Sequence, residues 1–399
     1  MKGKLLKVTL VVLVLSLVMT ACAPSATPTP QVITKVETKV VEKVETKFVE
    51  KVETKVETKV VEKVVTPTPP PAPKPIKIGL PVILTGADTY IFGEMVKDAA
   101  VMAVEEINAA GGVLGRPLEL VIMDDAGDPA QAVAVAHKYC EDPEIVAVIG
   151  HVFSGMTIPT LPVYGACRVA QLELGSNPRI TVMGYTHVFR ITPANDLIAG
   201  YAGADYVVEK KKIKSVAVIH NKTMWGEAVA TVFMKRCQEL GVKVTSFQGV
   251  DQTAVDFTPT LTKVNAEKPD AVYFAGYSES ALVCNQMAGL GMKQLYIAAE
   301  ATSSEYVDAV KKNGIGTIAP TAAPPSDFRP ETRKFAAAFK ARWGKEPEEW
   351  SMTYYDVVYA VAAAIKHAGS TGREAIIKAL HELEVPSICL LYTSDAADE

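Results

Sequence analysis

Short runs rich in Val and Ile alternate with segments of helical periodicity along most of this chain, and this alternation limits the possible folds more than any other feature. Strands that alternate with helices build parallel sheets, because a parallel neighbour can be reached only through a long crossover connection. The runs are almost continuously apolar, which is typical of strands buried on both faces. The predicted strands are IKIGLPV (76–82), LELVIMD (118–124), IVAVIG (145–150), SVAVIH (215–220), VKVTSF (242–247), DAVYFAG (270–276) and LYIAAE (295–300).

The segments between these runs carry helix start and stop signals. In residues 94–108 apolar side chains recur on one face, and Gly111 with Gly112 ends the helix. Asp128 and Pro129 begin the next helix, as its N-cap and its first residue. The alternating region spans about 310 residues, which is more than one hydrophobic core usually supports. We therefore predict an α/β fold of two lobes, each a mostly parallel sheet flanked by helices.

The N-terminus predicts export. Three lysines precede an apolar run over residues 8–18, and Ala21 directly precedes Cys22, which together are typical of a signal peptide. A Cys at this position resembles the bacterial lipobox, although Met19 stands where that motif prefers Leu. We predict a signal peptide over residues 1–21 and a lipid anchor on Cys22 that holds the protein at the membrane, on the cell surface or in the periplasm. The alternative is an ordinary cleaved signal with an incidental Cys.

Residues 22–75 predict a stalk. Pro and Thr crowd both of its ends, and such composition favours extended linkers. Between the ends, Val or Phe and Lys each recur every four residues. Stripes of that period drift around a helix of 3.6 residues per turn and build no lasting seam. An extended tether therefore suits the pattern better, and a self-associating coiled coil is the alternative.

The charge of the folded region argues against a nucleic-acid partner. The chain has 45 acidic and 41 basic residues and a formal charge of −4. The extreme N-terminus and the stalk hold five more positive than negative charges, which leaves −9 on the rest. Proteins that bind a phosphate backbone select basic surfaces, so nucleic acid is set aside.

The sequence also lacks the motifs of common catalytic and metal sites. It contains no zinc-ligand spacing, P-loop or nucleophile elbow, so we predict no metal, no cofactor and no enzymatic activity. Asp124 and Asp125 have no third ligand at metal spacing and are predicted to form hydrogen bonds at a strand end. His137 and His151 are predicted to be structural. The five cysteines that follow Cys22 contain no C-x-x-C pair, and their pairing is left open.

Several segments, in this order, resemble the periplasmic leucine/isoleucine/valine-binding proteins, which are extracellular receptors of branched-chain amino-acid ABC transporters. The likeness runs from about Ile76 to Leu380. It implies the two-lobed fold of periplasmic binding proteins, with a hinge between the lobes. The segments that carry it best are INAAGGVLGRPLELVIMDDAGDPAQAVAVA (107–136), VIGHVFSGMT (148–157), IHNKTMWGEA (219–228) and VYFAGYSESA (272–281).

The resemblance also implies how the chain divides. The N-terminal lobe is expected from 76–195 together with about 322–350. The C-terminal lobe is expected from 196–321 together with about 351–388. Residues 389–399 match neither the family nor a core pattern, and we expect them to reflect either truncation or a read-end artefact.

The resemblance implies two ends for a ligand site. At one end, Ser154 matches the serine that holds the ligand carboxylate together with helix-terminal amides, and Leu174 and Ser176 match the segment that adds a backbone group and a second hydroxyl. The family's disulfide would join positions 127 and 153, and it is absent because this chain has Gly127 and Phe153.

At the other end, Tyr277 and Glu300 match residues that face the ligand ammonium. Phe92 and Trp225 match aromatic positions that cover the ligand from opposite lobes. Asn195 stands where the family often has Asp, which leaves that contact open.

These observations predict a solute-binding protein. It is expected to capture an amino acid of branched-chain type, or a related small amide, and to deliver it to an ABC permease and its ATPase. The alternative is a ligand-binding receptor subunit that signals to a membrane kinase or chemoreceptor.

Overall fold

The computed structural model describes most of the chain that follows the predicted stalk. The predicted signal peptide, Cys22, nearly all of the stalk, Asn195, Glu300 and most of the predicted tail lie outside the described residues. The described residues are 73–86, 90–190, 196–299, 301–322, 325–348, 350–388 and 391–392.

The first lobe is built on a five-stranded parallel sheet. Its strands follow the order β2-β1-β3-β4-β5, so the chain begins in the interior of the sheet and moves outward in both directions. β3 (IVAVI) is buried at every position, as its continuous apolar run predicts. The strands are β1 (Ile76–Val82), β2 (Leu118–Asp124), β3 (Ile145–Ile149), β4 (Ala170–Glu173) and β5 (Val188–Arg190).

The second lobe is built on a four-stranded parallel sheet in the order β7-β6-β8-β9. Residue Ile318 bridges in parallel to β9 and extends this sheet at its edge. Two hydrophobic clusters, one on each face, make the sheet the centre of the lobe. The strands are β6 (Ser215–His220), β7 (Lys243–Gly249), β8 (Ala271–Ala275) and β9 (Leu295–Ala298).

Helices cover both sheets, so the α/β fold class and the two parallel sheets predicted from the sequence are confirmed. The first lobe carries α1 (Tyr90–Ala109), α2 (Pro129–Glu141), α3 (Ser154–Cys167) and the short α4 (Arg179–Val182). The second carries a π-helical segment (Asp196–Ala202), α5 (Gly203–Glu209), α6 (Met224–Glu239), α7 (Thr258–Glu267), α8 (Glu279–Gly289), α9 (Ser304–Val310) and a 3-10 turn (Lys311–Gly314).

The last three helices all belong to the first lobe, which differs from the predicted division of the chain for the second and third of them. They are α10 (Pro330–Trp343), α11 (Ser351–Ala368) and α12 (Arg373–Glu382). All three pack into the core of the first sheet, whereas residues 351–388 were expected in the second lobe. The reason is the long apolar face of α11, which packs along α1 and buries both helices against the first sheet. A two-residue antiparallel pair, β10 (Val385–Pro386) and β11 (Leu391–Tyr392), follows them.

A disulfide bridge joins Cys140, near the end of α2, to Cys167, the last residue of α3. Sequence analysis left this pairing open, because connectivity cannot be read from spacing alone. Beside the bridge, the Arg373 guanidinium donates to five backbone carbonyls, among them those of both bridged cysteines. The ends of α2 and α3 are therefore held together covalently and by hydrogen bonds from α12.

Among the described residues no helix has both the length and the apolar character needed to span a membrane.

Candidate functional site

A cavity with about 460 Å³ of empty space, part of it open to solvent, lies where the two lobes meet. Its walls come from residues that closely follow β3, β4 and β8, and from residues at or near the N-terminal ends of α1, α6 and α11. All six predicted ligand residues that the structure describes line this one cavity, although their contact with a ligand stays a prediction. The lining residues are Phe92, Val96, Val152, Phe153, Ser154, Leu174, Gly175, Ser176, Trp225, Tyr277, Trp350 and Tyr354.

Ser154 is the first residue of α3 and only 2% exposed. Its hydroxyl oxygen accepts a hydrogen bond from the backbone amide of Asn177 at 3.2 Å. The first amides of a helix have no partner within the helix, and the helix dipole favours negative charge there. This end of the cavity therefore offers a hydroxyl and helix amides to an anionic group.

The loop after β4 forms the wall beside Ser154. Arg190, on β5, donates to the carbonyls of Ser176 and Asn177 at 3.3 and 3.2 Å, and to the Thr181 hydroxyl at 3.1 Å. These bonds fix the loop that presents the Ser176 hydroxyl. The side-chain amide of Asn177 also donates to the carbonyl of Met224 in the second lobe at 3.1 Å, so the same loop contacts both lobes.

Aromatic rings form a row across the cavity. Phe153 of the first lobe stacks on Tyr277 of the second with ring centroids 4.9 Å apart, and Tyr277 stacks on Trp225 at 5.1 Å. Phe92 meets the edge of Phe153 at 6.0 Å. Offset-stacked and edge-to-face pairs of this kind are the favoured aromatic geometries. Phe153, at one position of the missing family disulfide, thus joins the two lobes through a ring contact.

The start of α6 brings Trp225 to the cavity. The Thr223 hydroxyl caps this helix by accepting from the amide of Gly226 at 2.9 Å. A side chain at Gly226 would collide with the Asn221 side chain and with the Ala275 carbonyl. The W-G pair in the sequence therefore lets the helix approach the end of β8 closely enough for Trp225 to reach Tyr277.

Sequence analysis missed Trp350 and Tyr354. Trp350 directly precedes α11 and Tyr354 lies in its first turn, where its ring is completely buried. Burial raises the pKa of Tyr354 well above its usual range, so its hydroxyl stays neutral. The signal in the sequence was the cluster WSMTYY at the start of a strongly apolar helix, but its aromatic residues are equally typical of a core.

The acidic and histidine residues near the cavity have structural partners. The Asp124 carboxylate accepts from the amides of Leu84 and Ala126, as expected for a strand end. His151 contacts Asp125 at 2.6 Å through Nδ1, and its Nε2 lies 3.3 Å from the Tyr164 hydroxyl. Within the part of the chain that the structure describes, no three His, Cys, Asp or Glu side chains are grouped to hold a metal ion.

Comparisons with known proteins agree with the fold. A family model described as periplasmic binding protein matches residues 75–399. The Leu/Ile/Val-binding protein homolog 1 of Brucella abortus is 32% identical over 309 residues, which cover 77% of this chain and 82% of the relative. A leucine-, isoleucine-, valine-, threonine-, and alanine-binding protein of Pseudomonas aeruginosa is 33% identical over 76% of this chain and 82% of the relative.

A solved structure is similar as well. The crystal structure of a leucine binding protein from Thermotoga maritima superposes with a TM-score of 0.71 at 26% identity, covering 77% of this chain and 87% of the other. The resemblance inferred from the sequence motifs is thus confirmed. By its sequence and its fold, this chain belongs to the periplasmic binding protein family.

Proposed function

We propose that this protein captures a small amino acid of branched-chain type, or a related small amide, and delivers it to an ABC permease and its ATPase. The observation that carries the proposal is a single cavity in which Ser154 and Ser176 of the first lobe face Trp225 and Tyr277 of the second. The names of the relatives, which include leucine-, isoleucine- and valine-binding proteins, support the same ligand class.

The first lobe suits the carboxylate of such a ligand. The hydroxyls of Ser154 and Ser176 and the first amides of α3 are donors, and each hydrogen bond to a charged group contributes about 1.5–3 kcal/mol. The rest of the cavity suits a compact apolar side chain, because its walls consist mostly of aromatic rings and of the aliphatic side chains of Val96, Val152 and Leu174.

The second lobe suits the ammonium group. A cation over the faces of Tyr277 and Trp225 gains about 0.5–2 kcal/mol. Glu300 is proposed as its counter-ion, on the resemblance alone.

We propose that a permease recognises the form in which the two lobes have closed on the ligand. The carboxylate donors and the aromatic cover lie on different lobes, so a ligand completes both sets of contacts only when the lobes are together. Binding and release without chemical change is then the whole activity, and we propose no catalytic step.

Membership of a periplasmic binding protein family indicates export. We propose further that Cys22 carries a lipid anchor and that residues 22–75 tether the binding unit to the membrane. Replacing Cys22 with Ser should move the protein from the membrane fraction to the soluble extracytoplasmic fraction. A variant that stays with the membrane would contradict the anchor.

The ligand assignment is tested with the full chain. We expect Leu, Ile or Val to raise the melting temperature, and Ser154→Ala to weaken binding of the same ligand at least tenfold by calorimetry. Ser246→Ala, on the outer strand β7 of the second lobe, is the matched control and should bind like the wild type. If all α-amino acids fail while neutral amides shift the melt, the amino-acid assignment is wrong.

A further inference from the structure

Glu173 is the last residue of β4 and is completely buried. Neither of its carboxylate oxygens has a hydrogen bond of ordinary geometry from the described residues. The nearest cation is Arg190, whose Nε lies 3.7 Å from Oε1, and the amide of Gly175 is a second neighbour that favours the charged form. A buried acid with so little compensation is costly to keep ionised, because few polar groups replace the water it has lost.

Glu173 lies directly behind the carboxylate end of the cavity. A methyl group added at Gly175 would approach Glu173 Oε2 to 2.7 Å and the Cα of Ser154 to 3.1 Å. Gly175 and Ser154 are both lining residues. Only one layer of backbone therefore separates the Glu173 carboxyl group from the place where a ligand carboxylate is proposed to bind.

Arg190 is too occupied to neutralise Glu173 fully. Its two terminal nitrogens donate to Ser176, Asn177 and Thr181, which leaves only Nε toward the acid, beyond hydrogen-bond distance. Of the titratable groups on neighbouring described elements, Tyr354 of α11 is the other one in electrostatic contact with Glu173, and it is neutral. Burial raises the pKa of Glu173 to about 8, against the opposing attraction of Arg190.

We infer that Glu173 determines the charge selectivity of this end of the cleft: a ligand carboxylate is held while Glu173 carries a proton and is repelled once Glu173 has lost it. Two carboxylates separated by a single layer of backbone in a poorly solvated site favour the state in which they share one proton. A ligand with a neutral carboxamide in the same position meets no such repulsion. The inference rests on the proposed function, because it requires the ligand carboxylate to bind at Ser154.

The test compares the full-length wild type with Glu173→Gln, which has the same shape and no charge. Dissociation constants of L-leucine are measured by calorimetry at pH 6 and pH 9, and the ratio of wild type to variant cancels the titration of the ligand itself. We expect a ratio near one at pH 6 and about ten at pH 9, since one unit above a pKa near 8 corresponds to tenfold. With L-leucinamide the ratio should be near one at both values.

Glu119→Gln, at an exposed position on β2, is the control and should match the wild type throughout. If Glu173→Gln does not fold, the proton uptake of the wild type on leucine binding is measured instead. Each leucine bound should be accompanied by uptake of more than half a proton at pH 8.5 and of almost none at pH 6. A leucine ratio that is the same at both pH values, a leucinamide ratio that rises equally, or binding without proton uptake would overturn the inference. Absence of leucine binding at both pH values in both proteins would instead refute the proposed function, and the inference with it.

Discussion

The two lobes contribute different chemistry to the cavity. The first lobe supplies the serine hydroxyls and the helix N-terminus, on a loop held by Arg190 and on helices tied by the Cys140–Cys167 bridge. The second lobe supplies Trp225 and Tyr277, two rings stacked on each other. The hydroxyl and amide donors are thus fixed on the first lobe, while the described residues that the second lobe contributes to the cavity are these two aromatic rings, which we call the apolar cover.

The largest effect is expected from the arginine that holds the polar wall. Arg190→Leu leaves the Ser176 and Asn177 carbonyls and the Thr181 hydroxyl without their charged donor, which should cost about 3–5 kcal/mol of unfolding free energy. Arg236→Leu in the second lobe removes a partly exposed pair with Asp205 and should cost much less, because solvent screens such a pair. Urea denaturation of both variants measures the difference, and equal losses would contradict the contrast between the lobes.

The next effect is a dependence of stability on pH that belongs to the first lobe. Because the folded-state pKa of Glu173 is raised to about 8, the unfolded chain ionises first as the pH rises, and the wild type loses stability above the ordinary pKa of a Glu. The free energy of unfolding of Glu173→Gln, relative to that of the wild type, should therefore rise by on the order of 3 kcal/mol between pH 5 and pH 8 and should level off above that. A constant difference across this range would show that Glu173 titrates normally.

A substitution in the apolar cover should weaken ligand binding less than a substitution among the serine hydroxyls. Trp225→Leu keeps an apolar side chain at the cavity but loses the stack on Tyr277, worth about 0.5–1.5 kcal/mol. We expect leucine affinity to fall about fivefold, less than for Ser154→Ala, and the melting temperature of the unliganded protein to fall as well, because Trp225 is buried in the core of the second lobe. A larger loss for Trp225→Leu than for Ser154→Ala would reverse the roles assigned to the lobes.

The smallest effect is expected at the hydrogen bond that joins the lobes. Asn177→Ala removes the donor to the Met224 carbonyl but keeps the backbone amide that reaches Ser154. The net worth of such a bond is about 0.5–1.5 kcal/mol, so the closed form should lose a few-fold in population and affinity. Small-angle scattering with and without leucine measures how far the lobes close. A variant that closes as far as the wild type would show that this hydrogen bond does not contribute to closure.

Much of the fold was predictable because Val- and Ile-rich strands leave a continuous apolar signal. β4 (AQLE) and β5 (VFR) were missed, since they are only four and three residues long and carry polar side chains. Glu173 and Arg190 lie on these two strands, so the charges behind the cavity escaped notice for the same reason. The positions of Ser154, Trp225 and Tyr277 came from local motifs, whereas Trp350 and Tyr354 reach the cavity through the long-range packing of α11.

Because of the Cys140–Cys167 bridge, the scaffold of the cavity depends on the compartment in which the protein folds. The bridge closes a 27-residue stretch that contains β3 and all of α3, and so limits the freedom of the chain before it folds. Such a bond forms in oxidising surroundings and is kept open by cytosolic reductants. Protein retained in the cytosol would therefore hold the helix of Ser154 by packing and hydrogen bonds without the covalent link, so translocation across the membrane would also complete the scaffold of the cavity.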